Sequence, residues 1–192
     1  IQALPFDKQV LPVGSYVLGY LLGNGSFDAK NVSITSNDRE VEDEFKKILG
    51  SKYLFTFNSG VRNCIRHNIT YLDRFNHIEE PYGVNPLIRI FNTLKLTGKI
   101  CYDKFIPDIY LKSSIQDRIH LLQGLMDSDG YINSGGKDIH YTTVSPQLAK
   151  DVEYLCRSLG LSCIVNKKEK QQIQHQDYYR IRISGNIPFD IF

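Results

Sequence analysis

The chain has 192 residues, of which 42% are hydrophobic and 23% are charged, so we expect a folded globular protein of one domain or two small ones. No apolar run approaches the roughly 18 residues of a membrane span, and residues 1–10 carry no secretory signal; both features predict an intracellular protein without a membrane partner. The net charge of +2 leaves nucleic acid open, and the four cysteines form no C-x-x-C pair, which argues against a zinc site.

The first half begins with an irregular lead-in over residues 1–13. Ser15 is then placed to cap an apolar helix, and two short strands follow within residues 26–36. Residues 37–49 predict an amphipathic helix, because an apolar stripe recurs at helical spacing and Asn37 can cap its start.

A hairpin and two helices complete this half. Residues 52–58 alternate, with aromatic side chains on one face and polar side chains on the other, and residues 61–67 continue as the second strand after a turn. Helices are predicted near residues 71–77 and 86–96.

The second half repeats this order after a linker near residues 97–106. Ser114 is placed to cap a second apolar helix, strands follow near Tyr131 and at 139–144, and a helix opens at Ser145. The last hairpin joins residues 162–168 to 178–184. The sequence therefore predicts a mixed α/β (α+β) fold with duplicated αββαββα halves, residues 14–98 and 99–192, related by a pseudo-two-fold axis.

A motif at the same place in both halves gives the strongest signal. The second copy is Leu121-Leu122-Gln123-Gly124-Leu125-Met126-Asp127-Ser128-Asp129-Gly130, and the first is Tyr16-Val17-Leu18-Gly19-Tyr20-Leu21-Leu22-Gly23-Asn24-Gly25. Each is an apolar helix with a glycine in the middle, where another backbone can approach closely, and a glycine at its end, which suits a left-handed helix terminus. Two such helices crossing at these glycines would deliver Asn24 and Asp129 to one place.

These residues resemble the LAGLIDADG motif of homing endonucleases, with 122–130 as the clear copy and 17–25 as a diverged one. The segment Lys104-Phe105-Ile106-Pro107 resembles the Lys-x-Ile-Pro segment of members encoded within inteins, such as that of the yeast vacuolar ATPase. The resemblance implies a two-motif endonuclease whose antiparallel sheets form a DNA-binding saddle, and it covers nearly the whole chain.

The resemblance also implies a metal site at the ends of the motif helices. Asp129 would bind Mg²⁺ or Mn²⁺, with Asn24 and the backbone carbonyls of Gly23 and Ser128 as further ligands. Asn24 departs from the family, which has a carboxylate there, and an amide offers an oxygen but no charge. A helix-capping role for Asp129 remains the alternative.

Lys104 precedes Asp129 by 25 residues (129 − 104) and would, by the resemblance, help to activate water or stabilise the transition state. A solvated lysine in a linker is the other interpretation. Asp129, Asn24 and Lys104 are thus the predicted catalytic residues.

The DNA-binding face is predicted on the polar sides of the strands, because two-stranded ribbons fit the major groove. Its residues are Lys52, Asn58, Arg62 and Arg66 in the first half, and Lys137, His140, Lys167, Lys168, Arg180 and Arg182 in the second. The alternative is that these charges merely form the solvated face of a sheet.

The sequence thus predicts a Mg²⁺-dependent endonuclease that cuts a long, pseudo-symmetric duplex DNA site, acts as a monomer and has an intein splicing domain in its parent protein. The rival interpretation is a protein of the same fold that binds DNA, or acts as an RNA maturase, without cutting. Asn24 is the feature that supports the rival.

Overall fold

The computed structural model describes residues 2–58, 65–72, 85–169 and 177–185. The helices in these ranges are α1 (Ser15–Asn24), α2 (Arg39–Leu49), α3 (Pro86–Thr93), α4 (Asp108–Leu111), α5 (Ile115–Asp129) and α6 (Pro146–Ser158). The strands are β1 (Gly25–Phe27), β2 (Val32–Thr35), β3 (Tyr53–Asn58), β4 (Arg66–Tyr71), β5 (Gly130–Ile132), β6 (Ile139–Thr143), β7 (Ser162–Lys168) and β8 (Tyr178–Ser184). None of the helices in this part of the chain is long and apolar enough to cross a bilayer.

The strands form two antiparallel four-stranded sheets with the same internal order. The first sheet runs β1-β2-β4-β3 and the second β5-β6-β8-β7. One face of each sheet packs into a common core with α1 and α5, which contact each other along their lengths. The predicted fold class and its duplication are therefore confirmed.

Two predicted helix caps are wrong. α1 begins after Gly14 without a side-chain cap, and the hydroxyl of Ser15 is buried. The cap of α2 is Asp38, whose side chain accepts from Glu40 N, because the side chain of Asn37 instead accepts from the backbone N–H of Ile65.

The glycines that end the motif helices are not left-handed either. Gly25 has φ −102° and Gly130 has φ −82°, which any residue can adopt. Each helix passes directly into a strand, so there is no separate capping turn. Their small size matters more, since a Cβ at Gly25 would lie 2.6 Å from the Cα of Leu21.

Two further segments differ from prediction. The second strand of the first hairpin covers Arg66–Tyr71 and so extends beyond the predicted end at residue 67, because the alternation of buried and open positions continues through Ile69 and Tyr71; residues 61–64 of the prediction lie outside the described ranges. Tyr71 therefore ends a strand instead of starting a helix, and residues 73–77 lie outside the described ranges. α3 ends at Thr93, and the short helix α4 was not predicted.

Candidate active site and nucleic-acid interface

The two motif helices cross at their central glycines. A Cβ on Gly124 would overlap the carbonyl oxygen of Tyr16 and lie 2.8 Å from Tyr20 N, and a Cβ on Gly19 would lie 3.0 Å from Leu125 N. Only glycine at both positions allows backbones to approach this closely. The crossing brings the C-terminal ends of α1 and α5 together, as the repeat predicts.

Asn24 and Asp129 meet the opposite helix at this end. The Asn24 amide donates from Nδ2 to the backbone carbonyl of Ser128 at 2.9 Å. Asp129 Oδ2 lies only 3.0 Å from the place where a Cβ on Gly23 would stand. Asn24 therefore contacts Ser128, which precedes Asp129, and Asp129 faces Gly23, which precedes Asn24.

Lys104 also reaches this end and is almost fully buried. Its ammonium donates to the carbonyls of Leu21 at 3.1 Å, Gly23 at 3.0 Å and Gly25 at 2.9 Å. A lysine has three N–H donors, so all of them are used. The positive charge also complements the negative end of the α1 dipole.

A cavity of about 260 Å³ lies beside Asp129 and is lined also by Leu22, Gly23, Cys101, Lys104 and Thr142–Val144. Burial raises the pKa of Asp129, and the attraction of Lys104 partly offsets this. Burial lowers the pKa of Lys104 to about 8, against the attraction of Asp129. The two groups thus stabilise each other's charged forms inside a poorly hydrated site.

The residues at this end fit Mg²⁺ on one side only. Asp129 offers a carboxylate beside the cavity, and Mg²⁺ needs only one or two carboxylates together with waters and phosphate oxygens. On the other side, the Asn24 nitrogen covers the Ser128 carbonyl, and the Gly23 carbonyl accepts from Lys104. Of the four predicted ligands, Asp129 is the one whose arrangement suits a cation without rearrangement.

The sequence did not single out a further carboxylate, Asp127. Its Oδ2 accepts a hydrogen bond of 2.8 Å from the hydroxyl of Tyr16 on the opposite motif helix. Burial raises the pKa of Asp127, and the hydrogen bond from Tyr16 partly offsets this. Asp127 therefore joins α1 to α5; the signal was its place two residues before Asp129 in the motif.

The outer face of the first sheet carries part of the predicted DNA surface. Arg66 lies there with Ser33 and Asn68, and its Nε donates to Ser33 Oγ at 2.9 Å. Lys52 is exposed at the edge of β3. The predicted contacts Arg62 and Asn58 cannot be placed, because Arg62 and the Asn58 side chain lie outside what is described.

The outer face of the second sheet carries Lys168, Arg180 and Arg182, as the alternation predicts. Lys167 pairs with Tyr179 on the opposite face and forms an ion pair of 3.0 Å with Asp177, so its assignment to the DNA face is wrong.

The other two predicted contacts of this half differ in exposure. His140 lies on the outer face but is buried, with its ring stacked on Tyr131 at 4.8 Å between centroids. Lys137 is exposed in the turn between β5 and β6. Lys137 can therefore meet a ligand directly, whereas His140 is covered.

Comparison with known proteins places these features in a family context. Residues 117–192 match the model of the LAGLIDADG-like domain. The structure of the homing endonuclease I-DmoI in complex with DNA and Mn has a TM-score of 0.58 and 16% identity, covering 92% of this chain and 91% of that one. The chain therefore has the fold of the LAGLIDADG homing endonucleases.

Two proteins that are similar to this chain in sequence have names that differ from each other. The homothallic switching endonuclease of Saccharomyces cerevisiae is 25% identical over 190 residues, which cover 89% of this chain and 32% of the relative. The replicative DNA helicase DnaB of Synechocystis sp. is 24% identical over 185 residues, which cover 92% of this chain and 21% of the relative. This chain thus spans about a fifth to a third of the length of these relatives.

Proposed function

We propose that the chain is a site-specific DNA endonuclease that hydrolyses phosphodiester bonds in duplex DNA with Mg²⁺ or Mn²⁺. The observation that carries this proposal is the Asp129 carboxylate at the helix crossing, beside an open cavity and Lys104. The two sheets extend from this point with basic side chains on their outer faces, and strands of this kind fit the major groove.

The chain's own groups would act by position and charge. Asp129 would hold the cation, and the cation would supply stabilisation of the negative charge that develops on the phosphate. Lys104 fixes the end of α1 through its three carbonyl contacts and balances the charge of Asp129. A phosphate contact by Lys104 would require one of these hydrogen bonds to break.

A second function, DNA binding or RNA maturase action without cleavage, is supported by Asn24. In place of the family's carboxylate it donates to the Ser128 carbonyl, which removes one anionic ligand and one carbonyl ligand from the site. This arrangement stabilises the helix crossing without any cation.

Selection of bound sequences from random duplex DNA, followed by cleavage of the winner in Mg²⁺, separates the two functions. We expect slow cleavage by the chain as it stands. Asn24→Asp should raise double-strand cleavage on the order of a thousandfold, since a lost carboxylate is estimated at about 4 kcal/mol of charge stabilisation.

Asp129→Asn in the Asn24→Asp background should abolish cleavage again. Asp127→Asn is the matched control, because this carboxylate contacts Tyr16 and not the cavity. If Asn24→Asp binds a selected site and cuts neither strand in Mg²⁺ or Mn²⁺, the chain is a binding protein instead.

The parent protein is also a proposal. This chain resembles a minor part of both a helicase and an endonuclease, which is the pattern expected of a module inserted into different host proteins. We therefore propose an intein-encoded, intracellular, monomeric endonuclease domain. The specific likeness to the yeast vacuolar ATPase intein stays a prediction.

A further inference from the structure

An acidic residue, Asp138, lies on the outer face of the second sheet. It is in phase with His140 and Thr142 along the chain, and thus on the side that carries Arg180 and Arg182. A carboxylate on a face that meets polyanionic DNA weakens non-specific attraction. Its place there therefore calls for a local role, and the role inferred below rests on the proposed DNA-binding function.

Asp138 stands between two side chains of one cross-strand pair. Its Oδ1 lies 3.3 Å from Arg182 Nε and 3.6 Å from His140 Nδ1. His140 and Arg182 are register partners in β6 and β8. His140 is buried under this contact, and its ring packs on Tyr131 at 4.8 Å. The carboxylate is therefore packed against a buried ring on one side and against Arg182 on the other.

The backbone also fixes the position of Asp138. Its N–H donates to Asn133 Oδ1 at 3.0 Å, and its carbonyl accepts from Asn133 N at 3.1 Å. These two bonds close the turn between β5 and β6. The carboxylate thus sits on a rigid element, which is what positioning another side chain requires.

Because Asp138 contacts Nε of Arg182, the terminal nitrogens of the guanidinium are left for a ligand. A guanidinium has five N–H donors in a planar fork, and the Nε of Arg182 faces the Asp138 carboxylate in an ion pair, without a hydrogen bond to Oδ1. Both terminal nitrogens remain, and the side chain is 58% exposed. Two parallel donors of this kind match the O6 and N7 acceptors of guanine in the major groove.

We infer that Arg182, positioned by Asp138, reads a guanine in the major groove of the target DNA. Arg182 lies in one row with His140 and Tyr131 across β8, β6 and β5, and Tyr131 follows Asp129 by two residues. The guanine therefore lies in the half of the target that the second sheet contacts.

The test compares base preferences of variants on the selected site and its single-base-pair substitutions. Arg182→Lys keeps the charge and loses the planar fork, so it should keep non-specific affinity and lose preference for guanine at one position by about 10-fold to 100-fold. Preferences at the other positions should remain. Arg182→Ala should lose the same preference and also bind more weakly at every sequence.

Asp138→Ala tests the positioning role, with Asp177→Ala as the matched control. Both remove one carboxylate from the same sheet, and Asp177 pairs with Lys167 on the other face. Charge alone predicts that both variants bind non-specific DNA more tightly. Positioning predicts that only Asp138→Ala also lowers the guanine preference, by several-fold.

Three results would overturn the inference. The first is an unchanged base profile in Arg182→Lys, the second is a preferred base other than guanine, and the third is identical base profiles for Asp138→Ala and Asp177→Ala. Each of these results would leave the proposed specific DNA binding in place. Failure to enrich any duplex sequence would remove the proposed function as well.

Discussion

Substituting Gly124 with alanine tests the helix crossing on which the candidate site depends. A Cβ at this position would overlap the Tyr16 carbonyl and lie 2.8 Å from Tyr20 N and 3.0 Å from Tyr16 C. Ordinary contact between such atoms requires about 3.5 Å. α1 and α5 must therefore separate by at least about 0.7 Å.

The cost follows from the weaker dispersion attraction across that gap. A gap of 0.5–1 Å forfeits about a quarter to a half of each dispersion contact, and a buried leucine makes roughly 50 contacts of about 0.1–0.2 kcal/mol. A quarter of the dispersion energy of two leucines is about 2.5–5 kcal/mol, and the better helix propensity of alanine returns about 1 kcal/mol. The net loss of about 1.5–4 kcal/mol should lower the Tm by roughly 3–16 °C in a chain of this size.

Thermal unfolding followed by circular dichroism measures this effect, with Gly135→Ala as the control. Gly135 lies in the turn between β5 and β6, and a Cβ there meets nothing within 4 Å. Its Tm should stay within about 2 °C of the parent. If Gly124→Ala also melts like the parent, the helices do not approach at this glycine and the proposed geometry of the site is wrong.

Three further predictions concern buried polar groups. Arg118 is fully buried and donates to the carbonyls of Leu4, Ser113 and Ser158 and to the Ser158 hydroxyl. Arg118→Leu should therefore lower the free energy of unfolding in urea by roughly 3 kcal/mol or more. The control Arg157→Leu, at an exposed ion pair with Glu153, should lower it by under about 1 kcal/mol. The pKa of Lys104 is lowered to about 8 from 10.5, so the folded state releases this proton at a lower pH than the unfolded state does. The free energy of unfolding should therefore rise between pH 8 and 10 by up to about 3 kcal/mol relative to Lys104→Met. Parallel pH profiles of unfolding free energy for the parent and Lys104→Met would contradict this. Tyr16→Phe removes the hydrogen bond that favours the Asp127 carboxylate, so the pKa of Asp127 should rise further in a carboxyl NMR titration, while Tyr53→Phe leaves it unchanged.

The fold could be predicted because its signals are local and repeated. The alternation in β7 and β8 predicts both strands with the bounds that the structure shows, since Cys163, Ile181 and Ile183 enter the core from alternate positions. The spacing of the two motifs predicts the crossing at Gly19 and Gly124, because only close backbone contact demands glycine at equivalent places. Helix caps were harder to predict, since Asn37 and Asp38 are chemically similar and the choice between them depends on the distant N–H of Ile65.

The partners within the candidate site could not be predicted from the sequence. Nothing local shows that Lys104 ends among the carbonyls of Leu21, Gly23 and Gly25, because this contact joins residues about 80 positions apart. The error at Lys167 has a simpler cause. Neighbouring residues on a strand point to opposite faces, so Lys167 and Lys168 cannot both face DNA.

The two halves share a backbone pattern but not a charge pattern, and this difference affects the electrostatics of the helix crossing. At the two pairs of equivalent positions, offset by 105 residues, the first motif has Leu22 and Asn24 where the second has Asp127 and Asp129. Two facing carboxylates would repel each other at this crossing, and metal ions between them would relieve that repulsion. Here Asp129 faces one carboxylate fewer, Lys104 balances its charge, and the Asn24 amide satisfies the Ser128 carbonyl. The crossing is thereby neutralised by the chain itself, so the charge asymmetry between the two motifs stabilises the helix pair that builds the site.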